Sequence, residues 1–425
     1  MSASDAVTVA EACAIILAET RALAAERIAL RDALGRVLAH GVVSPVTLPA
    51  WPNAGMDGYA VRGADVEGAS EARPVHLRVL ETVAAGARPS RSVGAGEATR
   101  IMTGAPVPAG ADTVIRVEDT DRGTEAVQIR DARDAFRNVR PRGEDVQEGA
   151  TVLHAGTVLG PAHLGVLASV GVAEPWVVRR PRVAILSTGD ELVEVDDFAA
   201  VREGRGIVNS NAHTIGALVR DAGGVPTDLG IVRDDRDALS AAIERARDHD
   251  LLVTTGGVSA GAFDYTRDVL RELGAELLVP RVRIRPGAPT SFARLGTLPC
   301  LGLPGNPVSA MVTFELFASP LLRTLAGARR PFRRPVPVRL AEDMTILPSL
   351  THFLRVVLDP AGDDGLPRAR MTGPQGSGLL TSMARADALL VVPAGRARYD
   401  AGERLGALLL GEGASYRETL DFGSP

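Results

Sequence analysis

PRVAILSTGDEL, residues 181–192, is the stretch that decides the fold of this chain. Pro181 closes what precedes it, an apolar run follows from Val183 to Leu186, and the run ends on Ser187-Thr188-Gly189-Asp190-Glu191. A short uninterrupted apolar run bounded by turn residues reads as a strand buried on both faces, as in a parallel sheet. The texture recurs at Leu251–Thr255, before Gly256-Gly257, and at Leu298–Leu303, before Pro304-Gly305-Asn306-Pro307. Between these runs, 212–221 reads as a helix stopped by Gly223-Gly224, 227–232 as a strand, 237–247 as a helix and 266–273 as a helix closed by Gly274. Pro307–Leu325 reads as a long helix. Strands alternating with helices predict a parallel α/β sheet. Ligands of such sheets bind beyond the carboxyl ends of the strands.

Outside this block the texture changes. Thr8 with Glu11 three residues later predicts a capping box, and Ala12, Ile15, Ile16 and Leu23 predict one apolar helix face. Residues 51–144 carry short β-like runs (75–80, 113–117, Ala126–Ile129) between Gly and Pro turns, so a mostly β insertion is expected. Turns and short apolar runs in 143–178 are expected to pair with 26–48. ARRPFRRP, residues 328–335, has four arginines and two prolines and reads as a solvated hinge. The remainder, with runs at 353–358 and Ala388–Val392, predicts a small C-terminal β domain.

Composition sets the outer bounds. At 425 residues the chain is long enough for about three domains of roughly 150 residues each. Apolar residues are 45% and charged residues 23%, which excludes a disordered or fibrous chain. Aromatics are only 4%, so cores are filled by Ala, Val, Leu and Ile, and base-stacking platforms for single-stranded nucleic acid are not expected. The net charge of -5 carries no basic footprint for DNA or RNA. There is no lysine, which excludes Schiff-base chemistry and a P-loop lysine. Two distant cysteines, Cys13 and Cys300, make neither a disulfide scaffold nor a cysteine metal site, and a reducing cytoplasm is the simplest compartment. No signal peptide and no membrane span are expected, since no run of about 18 apolar residues is evident.

Four polar clusters follow strands of the α/β block. In 187–191 two carboxylates beside a hydroxyl suit Mg²⁺ or ligand hydroxyls, or form a turn or cap. In 254–265 glycines and hydroxyls precede a helix, a pattern for an anion nest, with Asp264 as metal ligand or cap, or for a plain tight turn. Asn306 with Pro307 makes a sound helix start that needs no function, although it sits on the ligand rim. Arg281, Arg283 and Arg285 alternate along one strand face, either as an exposed face or as a comb for oxyanions. In the β insertion, 53–60 and 101–112 read as turns, and 142–145 as a turn or an acidic site. The seven histidines are scattered without zinc spacing, and no GxSxG elbow occurs. What remains is a Mg²⁺-and-anion site of Asp, Glu, Thr, Ser, Arg and glycine turns, suited to phosphoryl or phosphoanhydride chemistry.

The ordered set NAGMDGYAVR (53–62), IMTGAPVPAGAD (101–112), RGEDV (142–146), LSTGDEL (186–192), NSN (209–211), TTGGVSAGAFDYT (254–266), RPG (285–287), LPGNPVS (303–309) and GSGLLTSMARADALLVVP (376–393) resembles the molybdopterin molybdenumtransferase family, which includes the gephyrin E domain. The match runs from about residue 5 to 410, nearly the whole chain. The resemblance implies a multidomain α/β-plus-β chain. Its parts would be a doubly wound molybdopterin-binding α/β domain (1–26 and 178–328), a connecting domain (27–50 and 145–177), a mostly β insertion (51–144) and a C-terminal β domain (329–425).

The resemblance further implies a cytoplasmic homodimer that inserts molybdate into adenylylated molybdopterin with Mg²⁺, releasing AMP at a cleft between subunits. Transient contact with the adenylyltransferase and with molybdoenzymes would follow, with no nucleic acid and no membrane as partners. Carried over by motif, Asp57, Thr103, Asp145 and Glu191 would be catalytic. Thr188, Gly189, Asp190, Gly256, Gly257, Ser259, Arg281, Arg285, Pro304, Gly305, Asn306, Pro307, Arg355 and Ser377 would bind substrate. Asp234 or Asp235, with Asp264, would hold Mg²⁺. Two positions depart from the family pattern: Ala288 stands where a PGKP motif has lysine, and Ala262 where an acid is common. They keep open a catalytically silent molybdopterin-binding scaffold and a tungstate-preferring transferase as alternatives.

Overall fold

A computed structural model describes residues 6–257, 265–361 and 364–411. The chain divides into two compact units. The first comprises Met1–Ala39, Gly156–Gly160 and Glu174–Pro425, and the second His40–Ala155 and Pro161–Ala173.

The first unit is built on a six-stranded sheet in the order Val225–Val232, Arg182–Thr188, Leu251–Thr255, Leu298–Leu303, Ser291–Leu295, Glu276–Val279. The first four run parallel, Ser291–Leu295 runs against them, and Glu276–Val279, antiparallel to its neighbour, runs with them again. Side chains alternate between two cores, as a period of two requires. Val183 and Ile185 join Val253, Leu301 and Phe314 on one face, while Ala184 and Leu186 join Leu252, Leu239 and Ile243 on the other. Helices on both faces make the sheet doubly wound, as its unbroken apolar strands require. From Arg182–Thr188 the chain steps outward to Val225–Val232, then crosses back to Leu251–Thr255. The strand order therefore reverses beside Thr188, where an open α/β sheet leaves a crevice.

The capping box forms as expected: Thr8 N donates to Glu11 Oε2 at 2.7 Å, and Glu11 N to Thr8 Oγ1 at 3.2 Å. The helix ends at Ala18, so Leu23 lies beyond it and reaches the same core from an irregular segment. Pro307–Leu325 is one helical rod with a π segment, Phe314–Ala318, in its middle. Among the described residues it is the one helix long and apolar enough to cross a membrane by length and composition, although Glu315 and Arg323 interrupt it, and 78% of its most apolar stretch is buried within the protein. Its apolarity serves the core.

The 328–335 segment has no helix or strand and is mostly exposed, as expected of a solvated connector, but it is tied down at one point. Arg333 donates through Nε and Nη2 to the nearly buried Glu315 carboxylate at 2.8 and 3.3 Å. Beyond it Thr351–Asp359, Arg368–Met371, Val336–Leu340, Arg404–Leu409 and Ala388–Val392 pair in sequence, and the last returns to the first. The result is a closed β-barrel, which leaves no open edge, filled by Val338, Leu354, Val356, Leu390 and Ala407.

The second unit carries a five-stranded sheet in the order Thr113–Arg116, Gly58–Val61, Glu97–Ile101, Val75–Val83, Ala126–Ile129. Gly58 permits the pairing with the edge strand Thr113–Arg116, because a Cβ there would lie 1.8 Å from the Ile115 carbonyl oxygen. Asp134, almost fully buried, takes Nε and Nη2 of Arg116 at 2.7 and 2.9 Å. A helix, Pro161–Ser169, forms where turns and short apolar runs were expected. Gly165 in its middle and the lack of a polar face hide it from periodicity.

Candidate active site

At the reversal of strand order a cavity of about 700 Å³ opens beyond the carboxyl ends of three strands. Thr188, Gly189, Glu191, Asp234, Thr255, Gly256, Gly257, Gly305, Asn306 and Pro307 line it. Its floor needs glycine. Gly256 and Gly257 have φ of +87° and +61°, a region that side chains avoid. Added Cβ atoms would lie 2.4 Å from the Thr188 carbonyl oxygen and 2.4 Å from Thr266 Oγ1. At Gly189 a Cβ would meet the Glu191 carboxylate at 2.7 Å, so the missing side chain lets that acid fold back over the turn.

The acids divide by what they bond. Asp235 caps the helix Arg236–Arg245, accepting from Ala238 N at 2.9 Å. Asp234 lines the cavity. Its backbone N donates to Asp190 Oδ1 at 3.4 Å, and its own Oδ1 is buried without a partner. Burial, then the charges of Asp190 and Glu191, push the Asp234 carboxyl above its ordinary value. Among the described residues no group of three or more His, Cys, Asp or Glu side chains is placed to hold a metal ion. An orphaned carboxylate oxygen beside two further acids nevertheless suits Mg²⁺, which keeps most of its water and takes one or two carboxylates plus phosphate oxygens. Ser259 and Asp264, like Ala262, lie outside the described residues.

The rim is tied to the barrel's lead-in loop. Asn306 stands at the helix start but makes no side-chain cap, contrary to the expectation for Asn before Pro. Its Nδ2 donates instead to Ser377 Oγ at 3.0 Å, and Val308 N donates to the Ser377 carbonyl at 3.1 Å. Ser377 thus supplies the helix start with its acceptor. Pro304 is buried at the strand end and does not line the cavity.

The arginines lie elsewhere. Val282 and Ile284 are buried and Arg283 and Arg285 exposed, as alternation predicts, although only Ile284–Arg285 is regular strand. Arg285 and Arg355 line a second cavity of about 600 Å³ with His352 and Gln375, and Arg281 lines neither cavity. Arg355 is fully buried without a carboxylate partner. Its guanidinium donates to Ser382 Oγ at 2.8 Å and to the carbonyls of Pro374, Gln375 and Gly376 at 3.2, 3.3 and 3.1 Å. It holds the turn that leads to Ser377.

In the second unit Asp57 and Thr103 form an exposed pair. Thr103 donates to Asp57 Oδ1 from its hydroxyl at 2.6 Å and its backbone N at 2.7 Å, which holds the Asp57 carboxyl below the usual range. Asp145 belongs to the same unit, exposed, with its backbone N on the Leu48 carbonyl at 3.1 Å. Sequence reasoning singled out no role for Asn209, Ser210, Asn211, Leu192 or Ile207, all of which line the first cavity. The signal available was the NSN motif opening a helix.

Three family models match the chain in order: the MoeA N-terminal region (domain I and II) over residues 7–171, a probable molybdopterin binding domain over 184–324, and the MoeA C-terminal region (domain IV) over 337–410. A molybdopterin molybdenumtransferase of Staphylococcus aureus is 33% identical over 97% of this chain and 98% of its own length. Molybdopterin molybdenumtransferase 2 of Mycobacterium tuberculosis is 38% identical over 88% of this chain and 93% of its own. The crystal structure of the molybdopterin biosynthesis MoeA protein of Pyrococcus horikoshii superposes with a TM-score of 0.82 at 29% identity, covering 95% of this chain and 100% of that one. With its three regions matched in order and its strand-end cavity in the matched binding domain, the chain belongs to the molybdopterin molybdenumtransferase family, and with it to the transferases of molybdenum cofactor biosynthesis.

Proposed function

We propose that this chain inserts molybdate into adenylylated molybdopterin in a Mg²⁺-dependent reaction that cleaves the phosphoanhydride and releases AMP. The observation that carries the reading is the strand-end cavity. It combines glycine turns that bring backbone close to a ligand with carboxylates, one of whose oxygens is buried and unpaired. Gly257 offers its backbone N–H to a phosphate oxygen without side-chain obstruction, while the Gly256 N–H is held by the Leu303 carbonyl at 3.3 Å and fixes the turn. Asp234, with Asp190 and Glu191, would hold Mg²⁺, which when bound offsets phosphate charge. Asn306 and Ser377 keep the rim in place through their mutual hydrogen bond.

The second unit contributes Asp57, Thr103 and Asp145 as catalytic groups in this reading. Two donors from Thr103 keep Asp57 ionised, able to accept a proton or steady a cation at neutral pH. Arg281, Arg285 and Arg355 enter as oxyanion-side residues, Arg355 through the turn it holds. The reading includes a cytoplasmic homodimer of four-domain chains (1–26 with 178–328, 27–50 with 145–177, 51–144, 329–425), with transient contacts to the adenylyltransferase and to molybdoenzymes.

AMP release from adenylylated molybdopterin, measured with Mg²⁺ and with or without molybdate, tests it. Molybdate-dependent AMP is the expected result, and nucleotide binding with no AMP under either condition overturns it in favour of a silent binder. Asp57→Ala is expected to lower turnover by about 100-fold or more with an unchanged melting temperature. Full retained activity would remove Asp57 from the chemistry.

A further inference from the structure

The motif NSN, residues 209–211, is absorbed by none of the roles above. Asn209 is 2% and Asn211 8% exposed, and both line the strand-end cavity. Each side-chain amide has one atom bonded and one atom unpaired. Asn209 Oδ1 accepts from Ala212 N at 3.3 Å, capping the helix Ser210–Asp221, and leaves the Nδ2 donor buried without a partner. Asn211 Nδ2 donates to the Gly305 carbonyl at 2.8 Å and leaves the Oδ1 acceptor buried without one. Backbone groups of known polarity set both amide orientations, because a backbone N–H needs an oxygen and a carbonyl needs an N–H. One donor and one acceptor thus stand unpaired in the wall of one cavity. Native proteins rarely leave such groups buried unless a ligand or ordered water completes them.

The neighbouring wall is apolar. Leu192–Val193 pairs in parallel with Ile207–Val208, with Leu192 opposite Ile207, and Asn209 N continues the pairing to the Val193 carbonyl at 2.9 Å. Ile207 stays 57% exposed and borders the cavity with Leu192. An apolar flank beside a donor–acceptor pair suits a flat nitrogen heterocycle better than a phosphate or a metal.

We propose that Asn209 and Asn211 read a donor–acceptor edge of the substrate's nitrogen heterocycle, with Leu192 and Ile207 flanking its face. The inference rests on the reading of this cavity as the substrate site. The shared chemistry is an acceptor beside an N–H, presented by the lactam of a pterin and by the amino edge of adenine.

The test uses the purified full chain. Dissociation constants are measured for pterin and its lactam-N-methylated form, and for AMP and its N-dimethylated form. The proteins are wild type, Asn209→Asp, which keeps a good cap while losing the donor, and Asn211→Ala. One ring pair is expected to lose roughly tenfold on methylation with wild type, the worth of one well-made hydrogen bond, and little with Asn211→Ala. Asn209→Asp should weaken the parent ring by a similar factor at an unchanged melting temperature. Which pair responds identifies the edge.

Equal binding of parent and methylated rings, unaffected by Asn209→Asp, overturns the proposal. If neither ring binds alone, the KM for adenylylated molybdopterin decides. A tenfold rise in Asn209→Asp with kcat nearly kept supports the assignment, and an unchanged KM overturns it. Wild-type protein that releases no AMP from that substrate in molybdate signals instead that the underlying reading has failed.

Discussion

At the strand ends of the doubly wound sheet, Glu191 and Asp234 border a cavity of about 700 Å³ in which one Asp234 oxygen and two asparagine amide atoms have no partner. In the cavity of about 600 Å³ bordered by Arg285, the most buried charge, Arg355, has four neutral oxygens around its guanidinium. Both hold charged side chains on a strand or just beyond one. They differ in whether those side chains still have bonding capacity. An incomplete polar shell marks a place for a ligand, whereas a complete one marks scaffold. Residue type alone would have placed Arg355 and Asp234 in the same category.

The largest effect expected from this contrast is on stability. Arg355→Met leaves the partly buried Pro374 and Gln375 carbonyls without a donor, while Gly376 keeps Leu379 N and the Ser382 hydroxyl keeps the Leu379 carbonyl, and should cost roughly 3 kcal/mol in denaturant unfolding, with Arg355→Lys recovering only part because an ammonium has three donors. A Met variant as stable as wild type would show that the guanidinium is free for ligand, and the contrast would break. Next comes Asp234→Asn, where turnover should fall roughly 100-fold while the melting temperature at pH 7 holds or rises. The sign follows from linkage. Burial and like charges raise the folded-state pKa of Asp234, so its ionised form is destabilising at neutral pH and neutralising it relieves that cost. A large loss of stability would make Asp234 scaffold too.

A smaller effect is expected in the second unit. Arg116 holds the buried Asp134 carboxyl down to about 2. A depressed carboxyl stabilises above its unfolded value near 3.9 and loses that contribution as pH falls through 2, so about 2 kcal/mol should disappear across this window. Arg116→Ala should lose that window, read as a flattened melting-temperature profile over the same range. Smallest is Thr103→Val. It removes one of two donors to Asp57, so the acid limb of the rate profile should move to higher pH. An unmoved limb would separate Asp57 from the rate-determining titration.

The legible parts of the chain were those where one local pattern decides. Val183–Leu186 could only be a strand covered on both faces, and Thr8 with Glu11 could only open a helix there. The strands Gly58–Val61 and Glu97–Ile101 were not legible, since short pieces rich in Gly, Ala and Thr are stabilised by their neighbours rather than by propensity. Of the candidate site, Thr188, Gly256 and Gly257 follow from strand ends and positive φ. The choice between Asp234 and Asp235 does not, because either can cap a helix, and only the fold shows Asp235 bonded to Ala238 N.

By itself the sequence determined the alternation of apolar runs and helices, the glycines at the strand ends and the ordered motifs, because each depends on residues adjacent along the chain. Only the tertiary structure decided which polar groups are already bonded. Arg355 reaches the 374–376 turn from a neighbouring strand, Asn306 turns to Ser377 instead of its own helix, and Asn211 bonds to Gly305. Hydrogen bonds across such separations depend on where the sheet, helix and barrel bring the chain together, and no local pattern encodes them.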